Sequence, residues 1–316
     1  MIDCENCSRL GEKPQVNRWS HVLAELLEIS SEFICAKFSP LGAELKSLSD
    51  FESGIEYIWQ GDEKYWKRSA PWLFPIVGKL RDDQYWLRSK FYKLSQHGFA
   101  RDMNFEVAEH EKDMISFRLE SSDKTKKNYP FQFRFNIKYK VYGPKLLIEC
   151  EVRNVDKKEM LFSLGFHPAF NVPMNKGEKF EDYYLEFSDS ETRGVHRLHN
   201  GLVNFHEPDN KRVFHPSGVI AFKNKLFNDD ALILSDPDSE SVTLRSQKHD
   251  NYVRLQFGSV PYLGLWSAKD APFVCVEPWY GVADAVDSNG DFYEKEGLII
   301  LEAGDNFKAN FELHLG

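Results

Sequence analysis

The chain has 316 residues, with 40 Lys+Arg against 49 Asp+Glu and a formal charge of −9, which excludes the basic character of a nucleic-acid binder. Apolar residues at 42% and charged residues at 28% are values of a folded globular chain and exclude the disordered and collagen-like classes. An aromatic share of 14%, from 25 Phe, 13 Tyr and 7 Trp, favours pleated strands and flat surfaces for stacking.

Residues 1–24 are polar and without periodicity and are expected to form a loose extension ahead of one domain over residues 25–316. Short strands are expected at 31–38 and 114–120, and the run Phe91-Tyr92-Lys93-Leu94 is strand-like. A long half-buried strand follows, with Phe131, Phe133, Phe135, Ile137, Tyr139 and Val141 on one face and Gln132, Arg134, Asn136, Lys138 and Lys140 on the other. Gly143-Pro144 turns the chain, and Leu146, Ile148, Cys150 and Val152 alternate along the returning arm of a hairpin. Further strands are expected at 159–164, 182–187, 218–222, 231–235, 242–246, 252–257, 273–276 and 307–315, separated by Gly, Pro, Asn and Asp clusters. With few helical patterns between them, they imply an all-β, antiparallel sandwich and not parallel βαβ units.

No window approaches 18 consecutive apolar residues, and the first thirty residues lack a secretory signal pattern, so a cytoplasmic protein that does not engage membranes is expected. Five cysteines are an odd number, and Cys35, Cys150 and Cys275 lie in apolar runs as reduced core thiols do. Cys4 and Cys7 have the spacing of half a zinc knuckle, but no second Cys/His pair lies nearby to complete four ligands.

The P-loop, G-x-G-x-x-G, G-x-S-x-G and H-E-x-x-H patterns are all absent. Attention falls instead on polar residues set in apolar segments at strand ends: Gln96-His97-Gly98-Phe99-Ala100-Arg101, Gly165-Phe166-His167-Pro168 and Cys275-Val276-Glu277-Pro278-Trp279. His167 stands between aromatic neighbours on backbone stiffened by Pro168, and burial there would favour its neutral form. Glu277 ends a run apolar enough for a core strand, where a carboxylate must pair with a cation or do chemistry. His97 equally suits a hydrogen-bonded structural histidine, and Asp230 an ordinary turn residue. Trp59, Trp72, Trp266 and Trp279 are candidates for stacking on a sugar ring or for the core.

At these segments the sequence resembles the aldose 1-epimerase family, and most closely its short branch of sugar-epimerase-like proteins and hexose-6-phosphate epimerases. The resemblance runs from about residue 25 onward, through Pro40-Leu41-Gly42-Ala43-Glu44, Tyr57-Ile58-Trp59-Gln60-Gly61-Asp62, Phe74-Pro75-Ile76-Val77-Gly78-Lys79, His97-Gly98-Phe99-Ala100-Arg101, Gly165-Phe166-His167-Pro168 and Glu277-Pro278-Trp279-Tyr280-Gly281-Val282-Ala283-Asp284. It implies a galactose mutarotase-like supersandwich with an open sugar cleft and no metal or cofactor. It assigns a catalytic base to Glu277, a general acid to His167 and a second histidine to His97, with Asp230 and Trp279 on the substrate. The family's arginine upstream of the first histidine falls, by its spacing to Tyr85, on Lys79, which keeps the charge but not the planar fork; Arg81 lies close by as a substitute. Arg101 matches the phosphosugar branch, where an arginine grips a phosphate with two hydrogen bonds.

The expected activity is interconversion of the α and β anomers of a hexose or hexose 6-phosphate by a monomer or weak homodimer. A non-catalytic sugar-binding protein on the same scaffold is the principal alternative. Two others are a metal enzyme using His97, His167 and Glu277 and a two-carboxylate glycosidase using Glu277 and Asp230.

Overall fold

The computed structural model describes residues 26–191, 194–206, 218–223 and 225–316. The N-terminal extension, with Cys4 and Cys7, lies outside the described residues.

Strands dominate, and the single α-helix among the described residues is the one turn Asp123–Lys126, closed by a capping box between Ser122 and Thr125. Every strand ladder is antiparallel. A nine-stranded sheet is built around the hairpin Phe133–Tyr142 and Lys145–Asn154, with Asn306–Leu315 beside it. An eight-stranded sheet is built around Phe273–Tyr280, with Tyr262–Trp266 on one side and Leu164–Phe166 and Ala169–Asn171 on the other.

The two sheets meet through aromatic rings. Trp72 and Phe166 of the eight-stranded sheet pack on Phe135 and Phe311 of the nine-stranded one, at centroid distances of 5.8–6.1 Å that include the pair Phe166–Phe311 at 5.8 Å. Rings of this size, removed from water on every side, supply the dominant apolar term of the fold.

Side-chain parity then decides what faces away from this core. Along Phe273–Tyr280, Val274 and Val276 point into the inter-sheet core, so Cys275, Glu277 and Trp279 point to the opposite face of the sheet. Phe166 likewise points inward and His167 outward. Both faces of the strand are covered, so its sequence lacks the apolar–polar alternation of the outer hairpin.

The expected strands are present, with shifted ends. The run at 159–164 divides at Ser163 into Met160–Phe162, which pairs with Ile299–Leu301, and the start of Leu164–Phe166. Strands Glu44–Asp50, Glu106–His110, Val195–His199 and Tyr262–Trp266 are additions. Glu106–His110 is exposed throughout and has no buried face to mark it, and Tyr262–Trp266 is interrupted by Gly264. No helix among the described residues is long and apolar enough to cross a membrane.

Candidate active site

The outer face of the eight-stranded sheet carries a cleft of about 430 Å3. His97, His167, Glu277, Arg101, Asp230 and Trp279 all line it, although they come from four separate stretches of chain.

Two prolines create its centre. Pro278 has no N–H to give the ladder, and it lies where the neighbouring strand breaks between Leu164–Phe166 and Ala169–Asn171 at His167-Pro168. Across that break the residue preceding each proline turns its side chain to the cleft, and His167 Nε2 lies 3.1 Å from Glu277 Oε2. The His167 backbone N–H donates to the Pro71 carbonyl at 3.1 Å, which fixes the break on its far side.

Both side chains are buried, at 8% and 2% exposure. Burial pushes the Glu277 carboxyl well above the usual carboxylate range, and the nearby Asp230 adds to this. Burial, with the Arg101 guanidinium, lowers His167 to about 3. Each group therefore resists a lone charge, and the proton that Glu277 holds in the uncharged pair is the one His167 holds in the ion-paired form. Their separation is within proton-transfer reach, and such contacts commonly align only when substrate is bound.

His97 is held by its Nδ1, which accepts the Gly78 N–H at 3.1 Å. Gly78 has φ +71° and would drive a Cβ to within 2.5–2.7 Å of Ala283, so only glycine presents its amide this way. Burial and the neighbouring His167 keep His97 well below its ordinary pKa, so the ring is neutral with its proton on Nε2. That atom lies 3.3 Å from the Gln96 amide at the cleft.

The walls are aromatic and basic. Trp66 stacks on His167 at 4.8 Å and 25°, and Trp266 meets the same ring edge-on at 6.0 Å. Buried Glu44 accepts the Ser69 and Ala70 N–H groups at 2.5 and 3.1 Å, anchoring the loop that bears Trp66 and Arg68. Arg68 is braced by Asp102 at 2.7 Å and the Arg101 carbonyl at 3.2 Å, and Arg101 donates to the Gln96 carbonyl at 2.6 Å. The Arg101 Nε is buried and has no hydrogen-bond partner. Burial and the Arg68 charge lower Arg101 to about 10, which leaves it cationic at neutral pH.

Trp279 forms part of the floor. It lies opposite Gly165 in one ladder and beside Gly264 in the other, and a Cβ on either glycine would come within 2.5–2.8 Å of the indole. Gly264→Ala is expected to tilt Trp279 off the floor and cost about 1–3 kcal/mol from overpacking, measured by denaturant unfolding.

Other sequence candidates stand outside the cleft. Arg81, a candidate substitute for the family arginine, is exposed and donates to the Ser288 carbonyl at 2.7 Å. Lys79 lies one layer back, its methylenes against Gly201, which itself lines the cleft. Trp59 and Trp72 belong to the packed interior. Sequence reasoning missed Trp66, Arg68 and Gln96. The dense Tyr65-Trp66-Lys67-Arg68 run was the available signal for the first two, but it sits in a loop without periodicity. His97 is also not among the close metal-ligating groups of the described residues, which comprise His167, Cys275 and Glu277.

The family model described as aldose 1-epimerase matches residues 25–299. The chain is 32% identical to the chromosomal LacX protein of Lactococcus lactis, over 91% of this chain and 98% of that one. Among solved structures, a galactose mutarotase related enzyme from Lactobacillus acidophilus superposes with a TM-score of 0.86 at 37% identity, covering 92% of this chain and 97% of that one. A galactose mutarotase-like protein from Lactobacillus casei superposes at 0.84 and 34% identity, covering 92% and 100%.

Proposed function

The chain belongs to the aldose 1-epimerase family, and from that premise we propose that it interconverts the α and β anomers of a hexose or hexose 6-phosphate. The observation that carries this is the buried His167–Glu277 contact of 3.1 Å at the centre of an aromatic cleft.

Ring opening needs a base for the C1 hydroxyl proton and an acid for the ring oxygen. In the ion-paired form Glu277 takes the hydroxyl proton while His167 gives its proton to the ring oxygen, and the bond from C1 to that oxygen breaks to leave an open-chain aldehyde. Rotation about C1–C2 presents the other face, the freed hydroxyl adds back to C1, and both protons return. No covalent intermediate is required. The His97 Nε2–H donates to the ring oxygen or an adjacent hydroxyl, Asp230 accepts from hydroxyls at the rim, and Trp66, Trp266 and Trp279 enclose the ring.

Arg68 and Arg101 support a phosphorylated substrate, because two buried-edge guanidiniums at one end of the cleft suit a dianion. Arg101→Ala is expected to raise KM for glucose 6-phosphate by roughly 10–100-fold, the loss of a charge-assisted hydrogen bond, and to leave KM for glucose nearly unchanged. Equal effects on both sugars would remove the phosphate from the proposal.

A further inference from the structure

Cys275 has no part in the anomer chemistry, yet it precedes Glu277 by two residues on one strand and shares its face. One ligand atom from each of His167, Cys275 and Glu277 lies within 4.8 Å of the others, and all three residues are buried, at 6%, 0% and 2% exposure. His167 Nδ1 is buried without a hydrogen-bond partner, and Glu277 Oε2 has beside it the His167 Nε2 at 3.1 Å. We propose that His167, Cys275 and Glu277 form a site for a thiophilic divalent cation of the zinc class, and that an ion bound there shuts off the acid/base pair.

The donor set selects the ion. An imidazole nitrogen, a thiolate and a carboxylate are ligands of zinc, cadmium and cobalt, whereas a thiolate is a poor partner for magnesium or calcium. Tetrahedral bonds of about 2.0–2.3 Å hold ligand atoms roughly 3.5 Å apart, so the three need only modest rotamer closure. His167 and Glu277 are already at 3.1 Å.

Charge selects the valence. Thiolate and carboxylate contribute −2 against a divalent ion, so the filled site is neutral, as burial demands and as the Arg68 and Arg101 charges near His167 require. Binding releases two protons to solvent, one from the Cys275 thiol and one from the His167–Glu277 pair. Three protein ligands leave a fourth tetrahedral position, and His167 and Glu277 both line the cleft from which water would fill it.

The test uses the full chain carrying Cys4→Ser and Cys7→Ser, which removes the Cys-x-x-Cys pair as a competing ligand. Titration with Co2+ without sugar is expected to give a thiolate-to-cobalt charge-transfer absorption that saturates at one ion per chain and vanishes on adding Cys275→Ser. Cys275→Ala in the same background guards against a folding defect of the serine variant, with circular dichroism confirming its fold. It is expected to keep anomer exchange and to need about 10-fold or more Zn2+ for half inhibition. Absence of the charge-transfer band, or its survival in both Cys275 variants, overturns the proposal. Because the absorption is read without substrate, its failure is distinct from failure of the epimerase reaction.

Discussion

Replacing Glu277 by Gln is expected to lower the proposed anomer-exchange activity by about 10^2–10^4-fold, the range spanned by a positioned acid or base. The amide fills the same volume in the break between the strands, and Glu277 is pushed toward its neutral form by burial, so the substitution asks little of the fold. It removes the carboxylate that, in the ion-paired form, is proposed to take the proton from the C1 hydroxyl. Polarimetry on freshly dissolved α-glucose or its 6-phosphate measures the rate, and thermal unfolding within a few degrees of wild type shows that the loss is chemical. A rate within threefold of wild type would remove Glu277 from the base role.

His167→Asn is expected to be nearly as damaging, and the double variant Glu277→Gln with His167→Asn no worse than the more damaging single one. The two groups lie 3.1 Å apart, and in the proposed mechanism they share one proton, so losing either partner is expected to disable both. Residues that act as a unit show this non-additivity, whereas independent contributors multiply. The Asn side chain also leaves the stacking face of Trp66 without its imidazole, so KM is expected to rise in this variant but not in Glu277→Gln. A double variant slower by the product of the single effects would show two separate contributions and would contradict a shared proton.

The core of this site was legible because its chemistry is embedded in strong patterns. His167 and Glu277 are polar residues next to prolines inside apolar runs, and the pleat then dictates that Glu277 and Trp279 share a face. His97 stood out in its segment but could not be told from a structural histidine without the resemblance, since its orientation depends on an amide of Gly78 nineteen residues earlier. Trp66 and Arg68 escaped because loop side chains are aimed by tertiary anchors, here Glu44 and Asp102, that leave no local periodicity. Arg81, offered as a nearby substitute, does not line the cleft: chain spacing counts residues but does not show that its guanidinium reaches the distant Ser288 carbonyl. That His167 and Glu277 face each other across a broken ladder is a long-range fact, visible only once the strands are aligned.

Two-dimensional NMR exchange spectroscopy on equilibrated glucose, galactose and their 6-phosphates, with and without the wild-type protein, tests acid/base anomer interconversion most directly. Exchange cross-peaks between the α and β C1 protons of at least one sugar, well above the spontaneous background, are the predicted result. Sugar bound at saturation with no acceleration of exchange would contradict it, and would leave a carbohydrate-binding protein on an epimerase scaffold.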